Sequence, residues 1–277
     1  MLNPLVSVCI PTYKGVSFLA AAIDSVLNQT YPYFEIWVLD DNSPDNTQEM
    51  VARYSDPRVN YLRNASNLGP EGNWNRCLEV AQGKYFKLLP HDDLLAADCL
   101  EKQVAVLEAD VQGEIALVFG SRDVIDPLGR VLTTRGLRWE KAGRIEASAL
   151  IKRCIRAGTN LIGEPGNGLF RSALIKKVRS YDATCPYFVD LDYWFRILLH
   201  GDAYYTAART SSFRVSPGSW SVAIGGKQHQ DFKGFVGKFL ADTRFRISRA
   251  DLMIGLAMSS LNTLARALVY RYLFSGK

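Results

Sequence analysis

Two pairs of adjacent carboxylates carry the first readable chemistry. Asp40 and Asp41 stand in "VLDDNSPDNT", and Asp92 and Asp93 in "LLPHDD". Each pair follows an apolar run, so two like charges that repel each other sit where a buried strand would end. If both runs are parallel strands of one sheet, the pairs share its carboxyl-end rim. A divalent cation with oxygen ligands, Mg²⁺ or Mn²⁺, would join them and bring a diphosphate with it. Each pair alone also has a local reading, since Asp and Asn after a strand cap the next helix or fix a turn. The two pairs together favour the ligand reading. After the first apolar run the chain reads "IPTYKG", with Pro11, Tyr13 and a single Gly15. The GxGxxG of a dinucleotide grip is missing, and so is the GxxxxGK[ST] of a P-loop. A nucleotide would then be held mainly by a metal and carboxylates.

Such a rim needs strands that alternate with helices. "LVSVCI" (5–10), "FEIWVLD" (34–40), "VNYL" (59–62), "KYFKLL" (84–89) and "IALVFG" (115–120) read as strands. Helical patterns fill 17–28, 47–54, 71–81 and 97–109, and Gly83 closes the third. The alternation predicts an α/β fold with a mainly parallel central sheet flanked by helices, and ligands at the carboxyl ends of its strands. Further on, "RDVIDPLGRVLTT" (122–134) reads as a hairpin, and "GEPGNGLF" (163–170) as a glycine-rich loop leading into a short strand. Residues 192–200 read as a helix and "SSFRVS" (211–216) as a late strand. Gly and Ser cluster over 217–226, which divides a catalytic domain, 1–220, from a helical extension, 221–277. In the extension Met253, Ala257, Leu261, Leu264, Leu268 and Tyr272 fall on one helical face, with Ser259, Asn262 and Arg266 opposite.

With 277 residues, 48% of them hydrophobic, the chain can bury a sizeable core, which excludes a disordered or fibrous protein. The five cysteines are odd in number and form no CxxC pair, so neither a zinc site nor a disulfide framework is expected. A reducing, cytoplasmic setting follows. The opening residues do not read as a signal peptide, and no run of about 18 apolar residues marks a membrane span. The net charge of +5 is uneven, because residues 227–277 hold nine Lys or Arg against three Asp. A basic, amphipathic tail predicts peripheral contact with the inner face of a membrane; a solvated helix packed on the domain is the other reading. No nucleic-acid partner is expected.

At this point the chain resembles the family 2 glycosyltransferases. The resemblance rests on "VSVCIPTYKG", "SVLNQTYPYFEIWVLDDNSPDNT", "NASNLGPEGNWNRCLEVAQGKYFKLLPHDD" and "VDLDYWFRILLHG", in that order, over about 5–216. It implies the GT-A fold and inverting transfer of a sugar from a nucleotide-diphosphate sugar, a UDP-sugar, to an acceptor hydroxyl. A glycan or lipid-linked acceptor in surface polysaccharide or glycoconjugate assembly is expected. Pro11 lies in the nucleotide-binding segment, and Tyr13 matches the aromatic that stacks on the base. Asp41 matches the carboxylate that hydrogen-bonds the base. Asp92 matches the residue by the ribose and phosphates, and Asp93 the metal ligand. Asp190 matches the Asp that supplies the general base.

Three positions depart from the family pattern. Pro90 stands where many members have Asp, Val189 where Glu often precedes the base, and Ser216 where many have His. His91 or His229 could replace that last side chain, or be surface histidines. Arg171 and Arg196 are candidates to assist the leaving diphosphate, and Arg196 reads equally as a structural ion-pair partner. Asp192 reads as a helix N-cap and Trp194 as core. The competing functions are a non-catalytic nucleotide-sugar or carbohydrate-binding module, and a nucleotidyltransferase that would release pyrophosphate.

Overall fold

The computed structural model describes residues 5–137, 140–240, 243–245 and 247–274. The chain begins with β1 (Val6–Thr12), α1 (Leu19–Leu27), β2 (Phe34–Asp40), α2 (Thr47–Val51), β3 (Val59–Arg63), α3 (Gly69–Val80) and β4 (Tyr85–Leu88). These strands lie in the order β3-β2-β1-β4 and all run parallel. All seven residues of β1 are buried, as expected of a strand covered on both faces. Its alternation sorts them: Val6, Val8 and Ile10 join the core under α1, and Cys9 joins the core under α3. Helix α1 buries Leu19, Ala22, Ile23 and Val26, one stripe at helical spacing.

The second half contributes β5 (Leu94–Leu95), α4 (Cys99–Ala109), β6 (Ile115–Ile125), β7 (Val131–Arg135), β8 (Gly143–Ile145) and α5 (Ala147–Ala157). It continues with β9 (Leu169–Arg171), α6 (Ile175–Val178), α7 (Val189–Leu198) and β10 (Asp202–Arg214). The sheet extends past β4 as β9-β6-β10-β5. β6 and β10 are parallel, but β9 runs against both β4 and β6. This reversal decides the site. With Phe86 opposite Phe170, the start of β9 lies at the end of β4. The loop before β9 therefore arrives at the rim that carries Asp92 and Asp93. The hairpin over 122–134 forms as expected, with Gly129 in the left-handed region at φ 82°. β10 is longer than its expected "SSFRVS" core, because register shifts after Asp202, Tyr205 and Arg209 break its pattern. α7 begins at Val189, three residues before the expected start.

After β10 come α8 (Trp220–Ala223), α9 (Gln228–Leu240) and α10 (Arg249–Phe274). The extension shares the main core: Phe232, Phe235, Val236 and Phe239 of α9 pack with Phe188 and Phe195. Helix α10 has its two faces as expected, but the polar one faces inward. Ser259 is fully buried, and Asn262 donates to the Ala157 carbonyl at 2.8 Å. Met253, Leu261, Leu264 and Leu268 are 66%, 58%, 62% and 69% exposed. The Tyr272 side chain lies outside the described residues. Over Arg249–Val269, α10 is long and apolar enough to cross a membrane by length and composition alone. Ser, Asn, Thr and Arg interrupt its apolar residues, so no continuous run announces it.

Small residues bring α10 against α5. A Cβ on Gly158 would lie 2.4 Å from the Ser259 nitrogen, and one on Gly255 would lie 2.2 Å from the Ile155 carbonyl oxygen. Gly255→Val is therefore expected to cost about 1–3 kcal/mol through overpacking. A lowered thermal midpoint and faster proteolysis of α10 would register it; an unchanged midpoint would contradict this packing.

Candidate active site

The ends of β1 and β2 build the first part of the rim. Asp40 is fully buried and accepts the Ser43 backbone N–H at 2.9 Å and the Tyr61 hydroxyl at 2.5 Å. Asp41 is 2% exposed and accepts Asn64 Nδ2 at 2.9 Å, Leu68 N at 2.8 Å and Gly69 N at 2.9 Å. Its carboxylate thus ties down the distant 64–69 segment at the start of α3, while the turn-fixing reading of the pair holds for Asp40 through Ser43, and one of about four acceptor directions of Asp41 remains. Pro11 is buried within β1, while Tyr13 is 42% exposed on the loop that follows. That loop leans on the one after β2, for Lys14 N donates to Ser43 Oγ at 3.0 Å. Lys14 and Asn42 both hold positive φ, 52° and 58°, a strained conformation that clusters at functional sites. Thr12 Oγ1 is buried there without a hydrogen-bond partner among the described residues.

Asp93 follows β4 on a turn closed by its own N–H to the Pro90 carbonyl at 3.0 Å. It is 2% exposed, and Oδ1 accepts Arg214 N at 2.9 Å. Burial, then the Asp92 charge, push its carboxyl well above the usual range. Arg214 is an organising residue that the sequence reading missed. Its guanidinium donates to the Asp92 carbonyl at 2.8 Å and to those of Asp126 and Pro127 at 3.0 and 3.1 Å, and it lies 4.7 Å from the Phe18 ring centroid. Its position at the end of β10 in a read strand was the available signal. No group of three or more His, Cys, Asp or Glu poised for a metal occurs among the described residues. The donor set still fits a cation that arrives with its substrate. Asp93 Oδ2 takes no hydrogen bond among the described residues, and Mg²⁺ commonly binds one or two carboxylates plus substrate phosphates.

Asp190 lies in the first turn of α7, partly buried. Its Oδ1 accepts Leu191 N at 2.7 Å and its Oδ2 accepts Asn160 Nδ2 at 3.0 Å. Burial, then the Glu164 charge, push its carboxyl up to about 7. Glu164 is ion-paired with the buried Arg122, and its charge acts on both Asp190 and Asp93. Val189, where the family often has Glu, is buried in the core. The carboxylate that neighbours Asp190 comes from the glycine-rich loop instead.

That loop is pinned from below. The fully buried Lys87 donates to the carbonyls of Gly166 and Gly168, both at 2.9 Å. Asn167 Nδ2 donates to the carbonyls of Gly120 at 2.9 Å and Ile162 at 2.6 Å, and Trp194 Nε1 to that of Gly163 at 3.0 Å. A Cβ on Gly166 would lie 3.0 Å from Leu89 Cδ1, which shows how closely the loop approaches the end of β4.

Other expected residues lie elsewhere. Arg171 is at the far end of β9, bound to Asp110 at 2.9 Å, because β9 is antiparallel; it does not reach the rim. Arg196 pairs with Asp192 at 2.7 Å, its structural reading. Asp192 is not an N-cap: it sits inside α7, 4% exposed, where Arg196 and Lys238 neutralise it. Trp194 is core, 1% exposed. Ser216 is buried and bonded to Ser219, and His229 contacts Ser259 of α10 at 3.3 Å. His91 is partly buried beside Gly15.

The glycosyl transferase family 2 model matches residues 7–178. An uncharacterized glycosyltransferase of Rickettsia typhi is 30% identical over 206 residues, covering 73% of this chain and 61% of its own. The UDP-Glc:alpha-D-GlcNAc-diphosphoundecaprenol beta-1,3-glucosyltransferase WfgD of Escherichia coli is 35% identical over 122 residues, 44% of this chain and 47% of its own. The chain thus spans less than two thirds of these relatives. The crystal structure of S. aureus TarS 1–349 in complex with UDP-GlcNAc has a TM-score of 0.70 at 18% identity, covering 98% of this chain and 76% of that one. With the family match spanning more than half of the chain, this protein is a glycosyltransferase of family 2, with the GT-A fold and a C-terminal helix added to it.

Proposed function

We propose that the protein is an inverting transferase that moves a sugar from a UDP-sugar to an acceptor hydroxyl, with Asp190 as general base. The observation that carries this reading is the Asp190 carboxylate in the first turn of α7, held by Asn160 of the segment that leads into the pinned glycine loop, with its carboxyl pushed up to about 7 by burial and then the Glu164 charge. A base poised near neutrality holds the proton it takes without holding it permanently.

The uracil stacks on Tyr13 beside Pro11, and the remaining acceptor direction of Asp41 takes a base N–H. Asp92 faces the ribose and phosphates. Asp93 is the residue to hold Mn²⁺ or Mg²⁺, which would supply Lewis-acid neutralisation of the leaving diphosphate. As the acceptor oxygen attacks the anomeric carbon, its proton passes to Asp190. The bond from that carbon to the phosphate oxygen breaks, UDP leaves with the electron pair, and the configuration inverts. A thermal-shift screen of UDP, GDP, dTDP and CMP with and without Mn²⁺ tests the donor half. Stabilisation by UDP alone among them, dependent on Mn²⁺, is expected; stabilisation by none would overturn it.

The pH dependence has a defined sign. Only ionised Asp190 can accept a proton, so kcat is expected to rise with pH through about 7 and then level. Glu164→Gln removes a negative neighbour, which eases ionisation of Asp190. The acid limb is therefore expected to move to lower pH. A limb that stays put would show that Glu164 does not act on the base.

The relatives named for polysaccharide and lipid-linked chemistry support an acceptor in glycan assembly: WfgD, and the putative teichuronic acid biosynthesis glycosyltransferase TuaG of Bacillus subtilis, which is 37% identical over 104 residues. The outward apolar face of α10 supports peripheral attachment at the inner face of a membrane. Its inner face is committed to α5 through Gly255, Ser259 and Asn262, which favours a helix lying on the bilayer over one crossing it. Sedimentation with anionic vesicles should be lost in Leu261→Lys/Leu264→Lys; vesicle binding equal to the parent would remove α10 as the anchor.

A further inference from the structure

Asn160 joins the glycine-rich loop to Asp190, and its amide has no freedom left. Its Oδ1 accepts the backbone N–H groups of Ile162 and Gly163, both at 2.9 Å. Its Nδ2 donates to the Gly163 carbonyl at 2.9 Å and to Asp190 Oδ2 at 3.0 Å. A primary amide has two donor and two acceptor directions, so every one is used. Turning the amide over would set its oxygen against a carboxylate and a carbonyl, and its NH₂ against two N–H groups. All four bonds would be lost, so the network fixes which atom meets Asp190. The backbone is held on both sides. Asn262 Nδ2 donates to the carbonyls of Ala157 at 2.8 Å and Gly158 at 3.4 Å. Trp194 Nε1 shares the Gly163 carbonyl at 3.0 Å, and Arg122 Nη2 donates to the Asn160 carbonyl at 3.5 Å. Gly163 takes φ 114°, and a Cβ there would lie 2.9 Å from Arg122 Cδ, so this tight turn needs glycine.

A side-chain oxygen that accepts backbone N–H groups just ahead of it is an ordinary turn device, and Asp or Ser would serve it as well. That local task uses half of the Asn160 side chain. What asparagine adds is the nitrogen, and one of its two bonds reaches a carboxylate 30 positions away in sequence. Among the described residues, Asn160 is the one side chain bonded to Asp190; the other partner is the Leu191 backbone N–H. Donation to a carboxylate favours its charged form, and a proton acceptor must be ionised before it can act. The neighbouring charges do not supply this. Arg122 of β6 is committed to Glu164. Burial works against the Glu164 charge, but Arg122 outweighs it and holds that carboxyl below its usual value, so Glu164 remains an anion that opposes ionisation of Asp190. Burial pushes the Tyr181 hydroxyl, on the segment before α7, well above its usual range, so it carries no charge near neutrality.

We infer that Asn160 is the positioning residue of the general base: its amide fixes the orientation of the Asp190 carboxylate and favours its ionised form. This rests on Asp190 being the base and adds the residue that prepares it. Asn160 acts through Asp190 and not on the substrate.

The test is side-chain NMR of the full chain, titrated across neutral pH without substrate. The Asn160 NH₂ resonances are expected to shift with a midpoint of about 7, that of the Asp190 carboxyl, and to stop titrating in Asp190→Asn. In Asn160→Asp two carboxylates face each other and one proton is shared between them. The midpoint of the Asp190 carboxyl carbon is therefore expected to rise by at least about one pH unit, while UDP affinity holds. An Asn160 with only a turn to fix would change the thermal midpoint and leave that titration in place. Asn160 resonances that do not titrate, or that still titrate in Asp190→Asn, overturn the inference. So does an unmoved Asp190 midpoint in folded Asn160→Asp. The first measurement uses the parent chain and decides even where Asn160→Asp folds poorly. If the amide titrates with Asp190 but Asp190→Asn transfers sugar at the parental rate, the base reading falls and the inference with it. If Asp190→Asn loses transfer and the amide does not titrate, only the inference falls.

Discussion

Asp190→Asn is expected to reduce sugar transfer by about 10²–10⁴-fold, the range of a lost general base, while UDP affinity stays within about twofold. The two effects separate because the Asp190 contacts, Leu191 N and Asn160 Nδ2, belong to α7 and the 160–164 segment, away from the β1–β2–β4 rim. Single-turnover transfer and UDP titration measure them independently. Equal loss in both would recast Asp190 as a structural residue. A stability measurement offers a second check. The Asp190 carboxyl sits at about 7 in the fold against an ordinary value of 3.8. The folded chain therefore holds this proton over a range where the unfolded chain has lost it, and the group contributes stability that is full below the unfolded value and lost as pH rises through about 7. The asparagine variant lacks that loss. Its stability relative to the parent is expected to improve steadily from pH near 4 to pH near 7 and then remain level. A difference that does not change with pH would contradict the burial assigned to this carboxyl.

Asp93→Asn is expected to weaken Mn²⁺-dependent UDP binding by about 10²-fold, the scale of several kcal/mol lost when a charged metal ligand becomes neutral. Asparagine is the informative change, because its carbonyl can still accept the Arg214 N–H that Asp93 accepts at 2.9 Å. Alanine would orphan that buried donor at about 1–3 kcal/mol and confuse folding with binding. The buried charge of Asp93 already opposes that of Asp92, so the asparagine variant is expected to be at least as stable as the parent. Asp92→Asn should have a smaller effect on the metal requirement, since Asp92 is only partly buried and its backbone carbonyl, not its side chain, engages Arg214. If both variants lose metal dependence equally, the division of labour between the two carboxylates fails.

Much of this arrangement was legible in the residues, and the gaps have physical causes. The four parallel strands announced themselves because each is a short apolar run bounded by polar turns, and the strand-end carboxylates followed. β9 is only three residues long, and nothing in three residues specifies direction. Its reversal sent Arg171 away from the rim and brought Glu164 toward it. Arg214 and Lys87 escaped notice for a shared reason. Both are cations within strands, Lys87 in β4 and Arg214 as the last residue of β10, and their tasks depend on which carbonyls lie beside them in the fold. Asp192 was read as a cap because the helix was started too late; its partner Lys238 is 46 positions away in sequence. The faces of α10 were sorted correctly by period, yet period cannot tell which face meets the domain. Gly255, Ser259 and Gly158 decided that through close backbone approach, which residue hydrophobicity does not record.

The way α10 seats has a practical consequence for anyone who wishes to handle this enzyme in solution. Its exposed leucines invite truncation before Arg249 as a route to a better-behaved protein. That cut would uncover Phe232 and the end of α5, which now lie against Gly255 and Ser259, and would strip Arg156 and Lys152 of their shared partner Asp251. It would exchange a sticky surface outside for one at the edge of the core. Lysine substitutions at Leu261 and Leu264 leave that seat intact, so solubility is better sought by recolouring the helix than by removing it.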